Sequence, residues 1–111
     1  MTVVETEEFL RTSKPLMSDS ERELLVAFLG ANPEAGEIIR ESGGVRKVRW
    51  ALKGTGKRGG ARVIYYYHSA RLPLFLLSAY AKSRKADLSQ AEKKAMRGLA
   101  KALATGYPKN G

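Results

Sequence analysis

The sequence predicts an α+β fold: a small antiparallel sheet with two N-terminal helices and a C-terminal helix, in the order β-α-α-β-β-β-α. Apolar residues recur at helical spacing behind capping boxes, the period changes to alternation from Val45 onward, and glycine or proline closes most segments. Helices gathered against one face of such a sheet leave its second face open.

Residues 2–5, with the pair Val3-Val4, read as a short first strand, and residues 7–14 as a short helix that Pro15 stops. Ser18 with Glu21 three places on is a capping box; Leu24, Leu25, Phe28 and Leu29 then share one helical face until Asn32-Pro33 ends it. Residues 34–40 add a helical turn, and Gly43-Gly44 marks a break where φ can be positive. From Val45, Val48, Trp50 and Leu52 fall on one side and Lys47, Arg49 and Lys53 on the other, as in a half-buried strand, with Trp50 on the core side. The glycine-rich run 53–60 reads as a hairpin loop, and it is not a phosphate loop, because Arg58 follows Lys57 where that motif needs Ser or Thr. Residues 61–68 form a second strand dense in β-formers, and residues 72–80 a third, apolar on both faces and therefore central. Ser89 and Glu92 form another capping box, and Ala95, Met96, Leu99 and Leu103 repeat at helical spacing until Gly106 and Pro108.

A chain of 111 residues supports one domain, 1–111, with one modest core. Cysteine is absent and His68 is the one histidine, so disulfides and metal centres are not expected, nor is a cofactor. Glu5, Glu7 and Glu8 stand where an export signal needs positive charge, and the apolar run 72–81, broken by Pro73 and Ser78, is short of the about 20 residues that span a bilayer. A soluble, cytoplasmic protein with no membrane partner is the expectation. The net charge of +9 is unevenly placed: residues 1–44 hold nine acids and four bases, a net of −5, whereas residues 45–111 hold two acids and sixteen bases, a net of +14. Segregation of this kind favours a polyanion, because each Lys or Arg set on a phosphate releases condensed counterions.

Alternation points Lys47 and Arg49 the same way, and Arg62 on the paired strand reaches that face too. Lys53, Lys57 and Arg58 before and within the loop, and Lys82, Arg84 and Lys85 past the third strand, rim it. Like charges packed together lower one another's proton affinity, which suits a lysine here to proton exchange. These are the groups that metal-free RNA cleavage requires: a 2′-hydroxyl attacks phosphorus, the phosphorane gains negative charge, and fixed cations hold it more tightly than they hold the substrate. Tyr65, Tyr66, Tyr67 and Tyr80 offer rings for an unstacked base, although neighbouring strand positions must send at least one tyrosine inward. His68, with no acid or cysteine near it in sequence, is expected to be structural.

The run Gly43 to Arg49, the stretch Gly56 to Tyr66 and the segment Leu76 to Lys82 with Asp87-Leu88-Ser89 resemble the HigB branch of the RelE/ParE toxin superfamily. The resemblance implies a RelE-like toxin domain, a toxin of a type II toxin-antitoxin system that cuts messenger RNA on the ribosome without a metal. Its implied partners are the ribosome (16S rRNA), the message, and a HigA-like helix-turn-helix antitoxin, through which alone it meets operator DNA. It also implies a reactive set, here Lys47, Arg49, Arg62 and Lys82: Arg49 and Arg62 for transition-state charge, Lys47 for proton transfer, Lys82 for the scissile phosphate or leaving oxygen. Lys53, Lys57, Arg58, Tyr80, Arg84 and Lys85 would contact RNA or ribosome. The RelE type has an arginine in place of Lys82 and a tyrosine soon after it, whereas residues 83–88 hold no tyrosine, so the general base is left open. The alternatives are a ParE-like toxin that inhibits DNA gyrase, against which the basic set argues, and a passive RNA-binding domain.

Overall fold

The computed structural model describes residues 1–52, 60–85 and 87–106. Along the chain run β1 (Val3–Glu5), α1 (Glu7–Ser13), α2 (Asp19–Ala31), β2 (Glu37–Ile38), β3 (Val45–Trp50), β4 (Ala61–Tyr66), β5 (Leu74–Ala81) and α3 (Gln90–Gly106). The strands form one sheet in the order β1-β5-β4-β3-β2. β2, β3, β4 and β5 pair antiparallel in turn, but β1 lies parallel to β5, so the sheet is mixed where a purely antiparallel one was expected. α1 and α2 supply the crossover that a parallel partner needs. β5 is an interior strand, flanked by β1 and β4, although β4 holds the centre.

The caps act as their sequences predict. Thr6 Oγ1 accepts the Phe9 N–H (3.2 Å) and donates to the Leu76 carbonyl (2.7 Å), which starts α1 and ties it to β5 in one group. Ser18 and Glu21 make both capping-box bonds, as do Ser89 and Glu92. Pro73 has no N–H to give a ladder, and β5 begins after it, at Leu74. The second hairpin strand ends at Tyr66, so Tyr67 and His68 lie beyond it.

The helical turn expected over residues 34–40 is replaced by a tight bend and the edge strand β2. Gly36 explains the bend: a Cβ there would meet the Lys47 carbonyl and the Tyr65 hydroxyl at 2.9 Å each. The Tyr65 hydroxyl accepts the Gly36 N–H (2.8 Å) and donates to the Pro33 carbonyl (2.9 Å). Arg46 adds a bond from Nη1 to the Gly36 carbonyl (2.8 Å), so this cation serves the fold and stays off the basic face. Tyr65→Phe therefore strands a buried N–H and a carbonyl, and thermal unfolding should show a loss of about 1–3 kcal/mol.

Two apolar clusters sit on opposite faces of the sheet. Phe9, Leu25 and Leu29 from the first two helices meet Val63, Tyr65, Leu74 and Leu76 on one face; Val45, Ile64, Tyr66, Phe75, Leu77, Leu88 and Ala100 pack on the other. The second face is thus partly covered by α3 and not left open throughout. α2 also turns differently from its expected face: Leu25 and Leu29 are fully buried, while Leu24 is 59% and Phe28 38% exposed, Phe28 lying against Trp50 with ring centroids 5.6 Å apart. In α3 the buried residue is Ala100, with Met96 and Leu103 partly covered and Leu99 exposed. Trp50 lies on the core side as expected, but only half-buried, packed against the first cluster.

Candidate functional site: a cationic row across the sheet

Pairing register brings distant residues into a line. Arg49 of β3 stands opposite Arg62 of β4, and Arg62 stands opposite Tyr80 of β5. Directly opposed residues hold their Cβ atoms about 4.5–5.5 Å apart, so these side chains form a short row across three strands. One step along, Lys47 pairs with Ile64 and Ile64 with Ser78, on the same face. Strand alternation alone puts Lys47, Arg49, Arg62 and Ile64 on the α3 side.

Tyr80 reaches that side by another route. Leu74 and Leu76 face the first cluster, and unbroken alternation would send Tyr80 with them. The β4–β5 register shifts between Ile64 and Tyr65, Ile64 pairing with Ser78 and Tyr65 with Leu76, so Leu77 is the extra residue of a bulge. A one-residue slip exchanges faces, and Tyr80 emerges beside Arg62. Its hydroxyl is buried without a hydrogen-bond partner, and burial, the largest cause, pushes the phenol above its ordinary 10.0.

Arg62 is 7% exposed and belongs to a strand buried at every position, although it had been expected on an open face. Its Nη1 donates to the Ala61 carbonyl at 3.4 Å. Arg49 is exposed and Lys47 half-buried. Lys82 follows β5, its N–H bonded to the Gly60 carbonyl (3.1 Å), which sets it at the entrance to β4. Gly60 is obligatory there: φ is +62°, and a Cβ would stand 2.4 Å from the Trp50 carbonyl. Lys85 Nζ lies 5.0 Å from the centre of the Tyr80 ring, and Arg84 is exposed on the same turn. Of the expected rim, Lys53, Lys57 and Arg58 fall outside the described residues. Tyr65 and Tyr66 are buried, leaving Tyr80 as the half-buried ring beside the cations.

Two acids complete the arrangement, and sequence reasoning passed over both as site residues. Asp87 Oδ1 accepts from Lys47 Nζ at 3.2 Å and from the Leu88 N–H at 2.8 Å. Glu92 takes the Lys85 ammonium while capping α3 through the Ser89 N–H. Asp87 and Glu92 are the only acids in residues 45–111, which was the available signal. The like-charge crowding expected around Lys47 is relieved by a carboxylate. The Leu88 N–H first, and then the Lys47 ammonium, hold the Asp87 carboxyl below its ordinary 3.8; Lys85 first, and then the Ser89 N–H, hold Glu92 below its ordinary 4.5. A carboxylate whose folded pKa is depressed adds stability that is present above its unfolded value and lost as pH falls through the folded one. Thermal midpoints should therefore drop as pH is lowered through and below the 3.8–4.5 range, and an Asp87→Asn, Glu92→Gln variant should show a shallower drop.

Among the described residues no group of His, Cys, Asp or Glu is placed to hold a metal ion, and no helix is long and apolar enough to cross a membrane. The chemistry such a face can offer is anion binding by fixed guanidinium and ammonium groups next to an aromatic ring.

Comparison with known proteins bears on the family and the fold. Residues 1–109 match the family described as RelE toxin of RelE / RelB toxin-antitoxin system. Among solved structures, the chain is similar to an arginine-to-alanine mutant of E. coli toxin RelE in the free state, with 18% identity, 77% of this chain and 86% of that chain covered, and a TM-score of 0.53. At that identity the likeness is one of fold.

Proposed function

The chain belongs to the RelE toxin family, and from that membership we propose that it is the toxin of a type II toxin-antitoxin pair, acting in the cytoplasm to cut messenger RNA on translating ribosomes. The observation that carries the proposal is the Arg49–Arg62–Tyr80 row with Lys47 beside it. An RNA strand laid across the face sets its scissile phosphate on the Arg49 and Arg62 guanidiniums and rests a neighbouring base against the Tyr80 ring. The 2′-hydroxyl attacks phosphorus in line, the P–O5′ bond breaks, and the products are a 2′,3′-cyclic phosphate and a 5′-hydroxyl. Charge on the phosphorane oxygens exceeds that of the ground state, so fixed cations lower the barrier rather than only the dissociation constant. Lys47 and Lys82 serve the attacking and leaving oxygens as proton carriers. The step balances without a metal or cofactor.

The HigB-like branch is the reading favoured by the motif stretch of residues 43–90, with an antitoxin of the HigA-like helix-turn-helix type as partner and 16S rRNA as the ribosomal surface that meets Lys85 and Arg84. Expression of the wild type beside Arg62→Ala tests the proposal. Growth arrest with shortened translated messages in the wild type alone supports it; DNA damage would point to gyrase inhibition, and absence of any effect to passive binding.

A further inference from the structure

A face that only gathered RNA would gain from having no acid on it, because each carboxylate repels phosphate and cancels a counterion-releasing cation. Yet the only acids in residues 45–111, Asp87 and Glu92, both direct their carboxylates to lysines of this face. Lys47 is reached from an element remote in sequence, 40 positions on, and the contact is 3.2 Å long. The anchor is itself anchored. Asp87 Oδ1 also accepts the Leu88 N–H at 2.8 Å, Leu88 is buried in the cluster under α3, and the Ser89–Glu92 capping box follows at once. A buried leucine and a capped helix therefore hold the carboxylate beside Lys47.

We propose that Asp87 is a positioning residue, whose carboxylate holds the Lys47 ammonium at one place beside the Arg49–Arg62 row so that it meets the reacting oxygen. The proposal rests on the nuclease reading above. Lysine carries its charge on a flexible four-carbon stem, and an untethered ammonium spends its time over many rotamers. Misplacement of a reacting group by about 1 Å costs about 100-fold in rate, so a tether improves turnover even where its charge weakens attraction for RNA. Binding and turnover are thereby driven in opposite directions by the same carboxylate.

That opposition defines the test. Asp87→Asn keeps an oxygen for the Leu88 N–H and removes the charge; with purified protein and translating ribosomes, kcat should fall by about 100-fold while KM stays level or decreases. Asp87→Glu, which restores the charge on a longer stem, should recover part of kcat. In a Lys47→Ala background the Asp87→Asn substitution should cost nothing further, since its effect passes through Lys47. A wild-type or raised kcat in Asp87→Asn would overturn the proposal and show that the carboxylate only competes with phosphate. Multiplying losses in the double variant would overturn it as well. An equal fall in kcat and folded fraction, read by circular dichroism, would assign Asp87 to the fold. Failure of the wild type to cleave would refute the nuclease reading itself, an outcome distinct from all of these.

Discussion

Arg62→Ala should abolish most of the cleavage of translated messages, lowering kcat by about 10²–10³-fold, the usual cost of removing one fixed group that meets transition-state charge. Arg62 is the middle of the row, opposed by Arg49 on one side and Tyr80 on the other, and it is held in a strand that is buried throughout. At 7% exposure Arg62 is the most buried of the described cations on the face, and low local dielectric strengthens its hold on a phosphorane oxygen. Arg62→Lys should restore little, since a point charge lacks the planar fork that grips two oxygens. Relief of the like-charge opposition to Arg49 offsets part of the packing lost with a side chain that is 7% exposed, so the Arg62→Ala melting temperature should fall only modestly. A variant that is inactive at a temperature where circular dichroism shows it fully folded separates function from fold.

Phe9→Ala should produce the largest loss of stability, about 3–5 kcal/mol, against the about 5–15 kcal/mol that a domain commonly possesses. Phe9 has no exposed surface and joins α1 to Leu25, Leu29, Leu74 and Leu76 across the helix–sheet interface. The polar tethers of α1, Thr6 to the Leu76 carbonyl and the Ala79 N–H to Thr12 Oγ1 (3.0 Å), would remain but cannot fill the cavity. Chemical denaturation should show the midpoint fall, and activity at low temperature should fall only with the folded fraction.

Much of this site was legible in the sequence wherever strict periodicity held. Lys47 and Arg49 share a face because side chains alternate, and Arg62 joins them because a hairpin partner strand must lie alongside. Both capping boxes and the core-side placement of Trp50 followed from the same local rules. Legibility ended where tertiary contacts override period. Tyr80 crosses to the cationic face through a bulge that no residue pattern announces, since Leu76, Leu77 and Ser78 are all compatible with either register. β2 replaces a helical turn because Gly36 must pass under the Tyr65 hydroxyl, a partner 29 positions away. Asp87, read only as part of a motif, was not marked as a site residue because its significance lies in a contact with Lys47 across 40 positions. The parallel pairing of β1 with β5 likewise depends on where α1 and α2 return the chain.

Primer extension along a message, with the protein added to translating ribosomes and separately to the same RNA free in solution, tests the central claim most directly. New 5′ ends inside the translated frame, dependent on translation, with upstream fragments ending in 2′,3′-cyclic phosphate and with no such ends from Arg62→Ala, are the predicted result. Intact messages on ribosomes, or cleavage that proceeds equally with Arg62→Ala, would contradict it.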